Sequence, residues 1–155
     1  GVPAEHVTTI DHDMALPTKT LNPEREFQGQ KFVHNKADES SWSNFRIPGF
    51  QCRDTTIAEN TKNIAGVQVV RPNGNAIRPT KHDCDILFNF VMEGTMTLKT
   101  SGQSPNKLNS GDAFVIPPHL LTEYSDVSED LELLEVSLPG KFKTYYETSD
   151  SLVKR

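Results

Sequence analysis

The chain has 155 residues, long enough for one domain and short of two of ordinary size, so any functional site must be built within one core. Hydrophobic residues make up 35% of it, and 9 Gly with 10 Pro suit strands and turns better than a helical bundle. A formal charge of −5 with no basic stripe argues against a nucleic-acid partner. No run approaches the roughly 20 apolar residues of a membrane span, the first thirty residues lack a charged-then-apolar leader pattern, and no membrane partner is expected. Cys52 and Cys84 are too few for a disulfide framework and no Asn-x-Ser/Thr sequon occurs, which points to a reduced, cytoplasmic setting.

From residue 1 to about Ser43 the chain is polar and irregular: Pro3, Pro17 and Pro23 break any helix, and Lys31-Phe32-Val33-His34 is the one strand candidate. Residues 1–43 read as an N-terminal arm, either a partly ordered extension or a cover for the body of the fold or for a partner subunit. Beyond Trp42, short apolar runs alternate with turn residues, which makes residues 44–140 an all-β domain. Ala65 to Arg71 predicts a strand stopped by Pro72-Asn73-Gly74-Asn75. Ile86 to Met92 predicts a second, joined by a tight Glu93-Gly94 hairpin turn to a third over Thr95 to Lys99. Ser101 to Ser110 reads as a polar loop, Ala113 to Ile116 as a strand halted by Pro117-Pro118, and Leu131 to Leu138 as the last strong strand. Residues 141–155 read as a short helix or tail, and no segment has sustained helical periodicity.

Gly74 and Gly94, then Gly111 and Pro117, occupy the ends and start of two spaced patterns. The first runs Gly, five residues, His-x-His, three or four residues, Glu, six residues, Gly; the second runs Gly, five residues, Pro, x, Gly, two residues, His, three residues, Asn. Over residues 74–126 the chain thus resembles the cupin superfamily, and Val91-Met92-Glu93-Gly94 before a strand resembles many of its members. The resemblance implies a double-stranded β-helix, a jelly-roll cupin barrel, here preceded by an irregular N-terminal arm. It also implies a divalent ion held by three imidazoles and a carboxylate, and this sequence departs from that set. The first histidine falls on Thr80, the second on His82, the glutamate on Leu87 and the last histidine on Thr122. His119 replaces the second motif's glycine and Asp126 its asparagine.

One imidazole does not make a metal centre, so no metal ligand set and no cofactor are expected at the usual position. A substitute set of His82, Cys84 and His119 is the one route to a divalent metal. Otherwise Cys84 is a small buried hydrophobe in the Asp83-Cys84-Asp85 turn and His119 is exposed. Asp11-His12-Asp13, in the polar arm, reads as solvated.

Strand alternation puts Leu87, Asn89 and Val91 on one face and Ile86, Phe88, Phe90 and Met92 on the other. If Leu87 takes the inward place of the cupin glutamate, the polar groups inside the barrel are Thr80, His82, Asn89 and Thr122, a pocket composition for a small organic ligand unless they bond one another. Glu132 and Glu135 fall on opposite faces of the last strand, and the acidic stretch from Ser125 reads as solvated. The expected function is therefore binding of a small molecule in the barrel interior without the usual metal. The alternative is a cupin-type enzyme, a dioxygenase, isomerase, epimerase or lyase, with His82 as base or with the rebuilt metal site. A homodimer is expected, because a strand apolar on both faces needs cover.

Overall fold

The structure, a computed structural model, describes residues 24–147. Most of the arm, with Asp11-His12-Asp13, and the last eight residues of the tail lie outside the described residues. Runs rich in Val, Ile, Leu, Phe and Thr form the strands, as their fit to a pleated, half-buried surface requires. In chain order they are β1 Glu26–Phe27, β2 Gln30–Lys31, β3 Ser43–Asn44, β4 Phe50–Asp54, β5 Gly66–Pro72, β6 Thr80–His82 and β7 Ile86–Glu93. They continue as β8 Thr95–Thr100, β9 Asn106–Asn109, β10 Ala113–Val115, β11 Thr122–Ser125, β12 Glu132–Leu138 and β13 Thr144–Tyr146. Helix is confined to single turns at Ala37–Glu39 and Ile57–Asn60 among the described residues.

All pairings are antiparallel. One sheet has the order β10-β7-β12-β5-β4-β3, a second has β13-β6-β11-β8-β9, and β1 pairs only with β2. The two large sheets share one core: Phe50, Cys52, Val70, Leu87, Val91 and Leu133 from the first bury against Met96, Leu98 and Tyr124 from the second. Edge-to-face contacts of Tyr124 with Phe50, at 5.6 Å, and with Phe114, at 6.2 Å, tie the sheets together. The predicted alternation along β7 holds, since Leu87, Asn89 and Val91 are at most 1% exposed while Phe88, Phe90 and Met92 are half-buried.

Four local expectations change. Glu93-Gly94 is a corner between sheets rather than a hairpin turn, because β7 bonds β10 and β12 whereas β8 bonds β9 and β11. The polar stretch Ser101 to Ser110 contains β9, an edge strand whose Asn106, Lys107 and Asn109 are exposed, so no apolar alternation marks it. The tail contributes β13, which extends the second sheet through Thr144 opposite His82 and Tyr146 opposite Thr80. In the arm only Lys31 of the Lys31–His34 candidate is in a strand; Phe32 is 76% exposed, with no buried face to hold the run extended.

The backbone keeps the shape of both motifs. His119 and Asp126, where the second motif has Gly and Asn, adopt left-handed φ of +66° and +48°. Gly94, at φ +80°, turns against the start of β12: a Cβ there would meet Ser128 Oγ at 2.5 Å and the Leu131 backbone at 2.6 and 2.7 Å. Gly74, at φ +83°, has open space around it. Gly94→Ala should therefore cost at least about 2 kcal/mol in urea denaturation, combining strain with a backbone clash, and Gly74→Ala about 1 kcal/mol from strain alone. Equal losses at the two positions would contradict this account of the corner.

Candidate functional site

The four expected lining residues are all buried: Thr80 and His82 at 2%, Asn89 at 1% and Thr122 at 4% exposure. Thr80, His82 and Thr122 stand together on the second sheet, with Thr80 and Thr122 directly paired across β6 and β11. Asn89 lies on β7 in the opposite sheet. Thr122 Oγ1 donates to the Thr80 carbonyl at 3.4 Å, so this pair is partly satisfied internally.

His82 is engaged at both ring nitrogens. Its Nδ1 accepts the Cys84 backbone N–H at 3.0 Å, which leaves the proton on Nε2, and Nε2 donates to the Ile116 carbonyl at 2.8 Å. Phe142 packs edge-on against the ring at 5.9 Å. The expectation of His82 as an open base or orienting group meets a ring that instead pins the turn after β6 to the Pro117 loop, with neither nitrogen turned to a ligand. Burial lowers its pKa below the ordinary 6.5, against the opposing pull of the Ile116 carbonyl.

The metal positions do not fit a metal. Thr80 and Thr122 offer weak hydroxyl donors, Leu87 offers none, and His82 has no free nitrogen. The substitute set fares no better: the Cys84 thiol donates to the Ile86 and Leu138 carbonyls, each at 3.0 Å, burial pushes its pKa up, and the His119 side chain is exposed. Among the described residues no three His, Cys, Asp or Glu side chains are placed to share an ion.

A second polar group was not foreseen in full. Glu135, in the middle of β12, points inward at 3% exposure and is held by Arg46, from the loop before β4. Arg46 Nη2 lies 2.5 Å from Oε1 and Nε lies 3.3 Å from Oε2, a two-pronged contact suited to guanidinium and carboxylate. Phe45 and Phe142 stack against the guanidinium at 5.0 and 5.2 Å. Burial works against the Arg46 charge, yet Glu135 outweighs it and holds the Arg46 pKa above its ordinary value.

Around this pair are groups without hydrogen bonds. Asn89 sits directly opposite Glu135 in the β7–β12 register, and neither its Nδ2 nor its Oδ1 has a partner. Tyr124 Oη and Thr144 Oγ1 are likewise buried with no partner in hydrogen-bond geometry. Burial raises the Tyr124 pKa far above the usual phenol range, so the hydroxyl keeps its proton. A cleft of about 120 Å³ reaches Glu135 and Ser137 from outside, while Thr122 lines a separate surface cleft of about 230 Å³ beside Pro79 and Leu121.

Of these residues, Arg46 and Glu135 carried a readable sign. Arg46 is a charge between Phe45 and Ile47, both buried, and Glu135 interrupts a run that is apolar on both strand faces.

The His82 arrangement predicts a pH dependence. The folded imidazole resists protonation while the unfolded one takes a proton near 6.5, so stability is retained above that pH and lost as pH falls below it, by up to about 1.4 kcal/mol per pH unit. Urea titrations between pH 7.5 and 5 should show this slope. A His82→Gln variant should be less stable at pH 7.5 and flatter below; an unchanged slope would move the pH dependence elsewhere.

No protein-family model and no curated protein sequence matches the chain. Solved structures do match in architecture. The nucleoside dehydratase Pac13 of Streptomyces is 14% identical with a TM-score of 0.59, covering 78% of this chain and 97% of that one. The polyketide cyclase RemF of Streptomyces resistomycificus is 18% identical with a TM-score of 0.61, covering 78% and 89%. A cupin-like protein of Thermotoga maritima is 18% identical with a TM-score of 0.56, covering 74% and 91%. Likeness at such low identity concerns architecture, and together with the two motif frames and the paired antiparallel sheets it makes this chain a protein of the cupin fold.

Proposed function

We propose that the chain binds a small organic molecule between its two sheets without a metal centre. The observation that carries this reading is Asn89, a primary amide 1% exposed with both polar atoms unpartnered. An unsatisfied buried polar group costs about 1–3 kcal/mol, and a ligand that bonds the amide recovers that cost. Glu135, Arg46 and the Tyr124 hydroxyl supply further polar contacts in an otherwise apolar interior, the usual make-up of a ligand site. Thr80 and Thr122 form the opposite polar wall, with His82 behind them.

A second reading is a cupin-type enzyme. It draws on the enzymes among the structural neighbours, a dehydratase and a cyclase, and on the closeness of a protonated phenol, Tyr124, to a carboxylate, Glu135, which together suit proton transfer at a bound substrate.

Asn89→Leu separates ligand contact from architecture. Replacing the orphaned amide by an apolar group of similar size should raise the stability of the free protein by about 1 kcal/mol. The same variant should lose the thermal shift produced by sugars, nucleosides or hydroxy acids, which at 100 times the dissociation constant amounts to roughly 2.7 kcal/mol in the parent. An undiminished shift in the variant would place the ligand away from Asn89 and overturn the reading.

We also infer that the chain pairs with a second copy of itself through the outer face of the first sheet. Two rows, Val115–Phe88–Val136–Val67 and Ala113–Phe90–Leu134–Val69, run uncharged across it, with Val115 58% exposed. Among the described residues, contacts of the arm fall on the far side of this face, where Asn35 bonds Arg53 and Trp42 stacks on Arg71. Copies that each carry −5 meet with least repulsion on the part of this face that the two uncharged rows cover, away from Arg53, Arg71 and Glu132. Light scattering should give twice the chain mass, reduced to the single mass by Phe88→Glu; a single mass for the parent chain would exclude the pairing.

A further inference from the structure

The register of the first sheet lines up four polar residues on adjacent strands. Asp54 of β4 pairs with Gln68 of β5, Gln68 with Glu135 of β12, and Glu135 with Asn89 of β7. With strands about 4.8 Å apart, the row is roughly 14 Å long. Exposure falls along it: Asp54 is exposed, Gln68 half-buried, Glu135 3% and Asn89 1% exposed. The interior of such a sheet is normally apolar, and the neighbouring inward row Cys52–Val70–Leu133–Val91 is so throughout.

The 120 Å³ cleft opens onto this row. Asp54, Gln68, Glu135 and Ser137 line it, with Lys141 and Phe142 on the other side, and it ends at Glu135, one strand short of Asn89. Its charges balance, Lys141 against Asp54 at the rim and Arg46 against Glu135 at the inner end. Each Glu135 oxygen takes one N–H from Arg46 and has a lone pair to spare, and Ser137 gives its proton to the Gly140 carbonyl at 3.3 Å, so its oxygen is left as an acceptor. The cleft thus offers mainly acceptors, together with the amide of Gln68, to a ligand with no net charge, with the Asn89 amide one strand beyond its inner end, while Phe142 presents an apolar wall.

We propose that the outer part of this row, Asp54, Gln68 and Glu135 with Ser137 beside it, is the binding track for a neutral polyhydroxylated molecule of monosaccharide size, which enters by the Lys141–Phe142 cleft, bonds these side chains through its hydroxyls and reaches toward Asn89 at the inner end. The proposal rests on the small-molecule reading above and adds to it the route and the ligand class. Hydroxyl groups suit the row because each both donates to a carboxylate and accepts from an amide. An anion would meet Glu135 and Asp54, and a cation would meet Arg46 and Lys141.

The test uses D-xylose, D-ribose and myo-inositol as probes, with gluconate as the anionic and glucosamine as the cationic comparison, read by thermal shift and by amide NMR of the full chain. The neutral probes should raise the melting temperature and shift the resonances of Gln68, Glu135 and Ser137. Gln68→Met, and independently Asp54→Ala at the exposed rim, should weaken binding about tenfold or more with the urea midpoint little changed. Preference for gluconate or glucosamine would overturn the ligand class. Binding with resonance shifts confined to the Pro79–Leu121 cleft would overturn the track and leave the small-molecule reading standing. No response to these probes, or to nucleosides and hydroxy acids screened alongside them, would remove both.

Discussion

The buried contact between Arg46 and Glu135 sets the terms for the rest of the interior. Two charges withdrawn from water are costly unless geometry and added contacts compensate, and removing either partner from such a pair typically costs about 3–5 kcal/mol. Here the guanidinium is gripped on two prongs, flanked by Phe45 and Phe142, and fixed further by its own backbone carbonyl, which accepts the Tyr146 hydroxyl at 2.7 Å. The pair therefore ties the loop before β4 to the middle of β12 and to β13 at the edge of the other sheet. It also fixes the polarity around Asn89 and Tyr124, since both lie in the field of two opposed charges rather than in a purely apolar core.

What could be read from the residues was what depends on short-range pattern. The inward set of β7 follows from alternation, and the positions of Gly74, Gly94, Gly111 and Pro117 follow from the backbone turns they serve. Sheet membership did not follow, because a two-residue connection reads alike whether it folds a hairpin or rounds a corner; the strand pairings on either side of Gly94 separate the two. β9 was hidden because it is a short edge strand in which only Leu108 packs against the core, and one inward residue is too few to show alternation. β13 was hidden because its pairing partner, β6, lies far back in the chain. In the site, burial of Thr80, His82 and Thr122 was legible from the frames of the two motifs and that of Asn89 from alternation along β7, three strands in all. That His82 would spend both nitrogens on backbone groups was not, since those partners, Cys84 and Ile116, are set by the loop path. The Arg46–Glu135 pair spans 89 positions, beyond the reach of any local pattern.

Fold and chemistry come apart in this molecule. Cupin architecture is compatible with many reactions and with none, and the neighbours that share it act on unlike substrates. Where the usual motif would gather imidazoles, this chain has two hydroxyls, a leucine and a histidine already in use. Polar character is instead concentrated on the opposite sheet, so that the interior is apolar along one strand row and hydrophilic along the next.

His119 shows how far a loop can be dictated from outside itself. A residue with a bulky ring takes a left-handed backbone that glycine would adopt without strain, and it does so because its N–H is bonded to the His82 carbonyl at 2.7 Å and two prolines stiffen the approach. The conformation belongs to the anchorage, and the side chain is a passenger that ends in solvent. Such a position can exchange its chemistry without disturbing the shape that surrounds it. Composition at a motif and the geometry of that motif are then independent, and the outline of this turn holds on a residue other than the glycine the motif calls for.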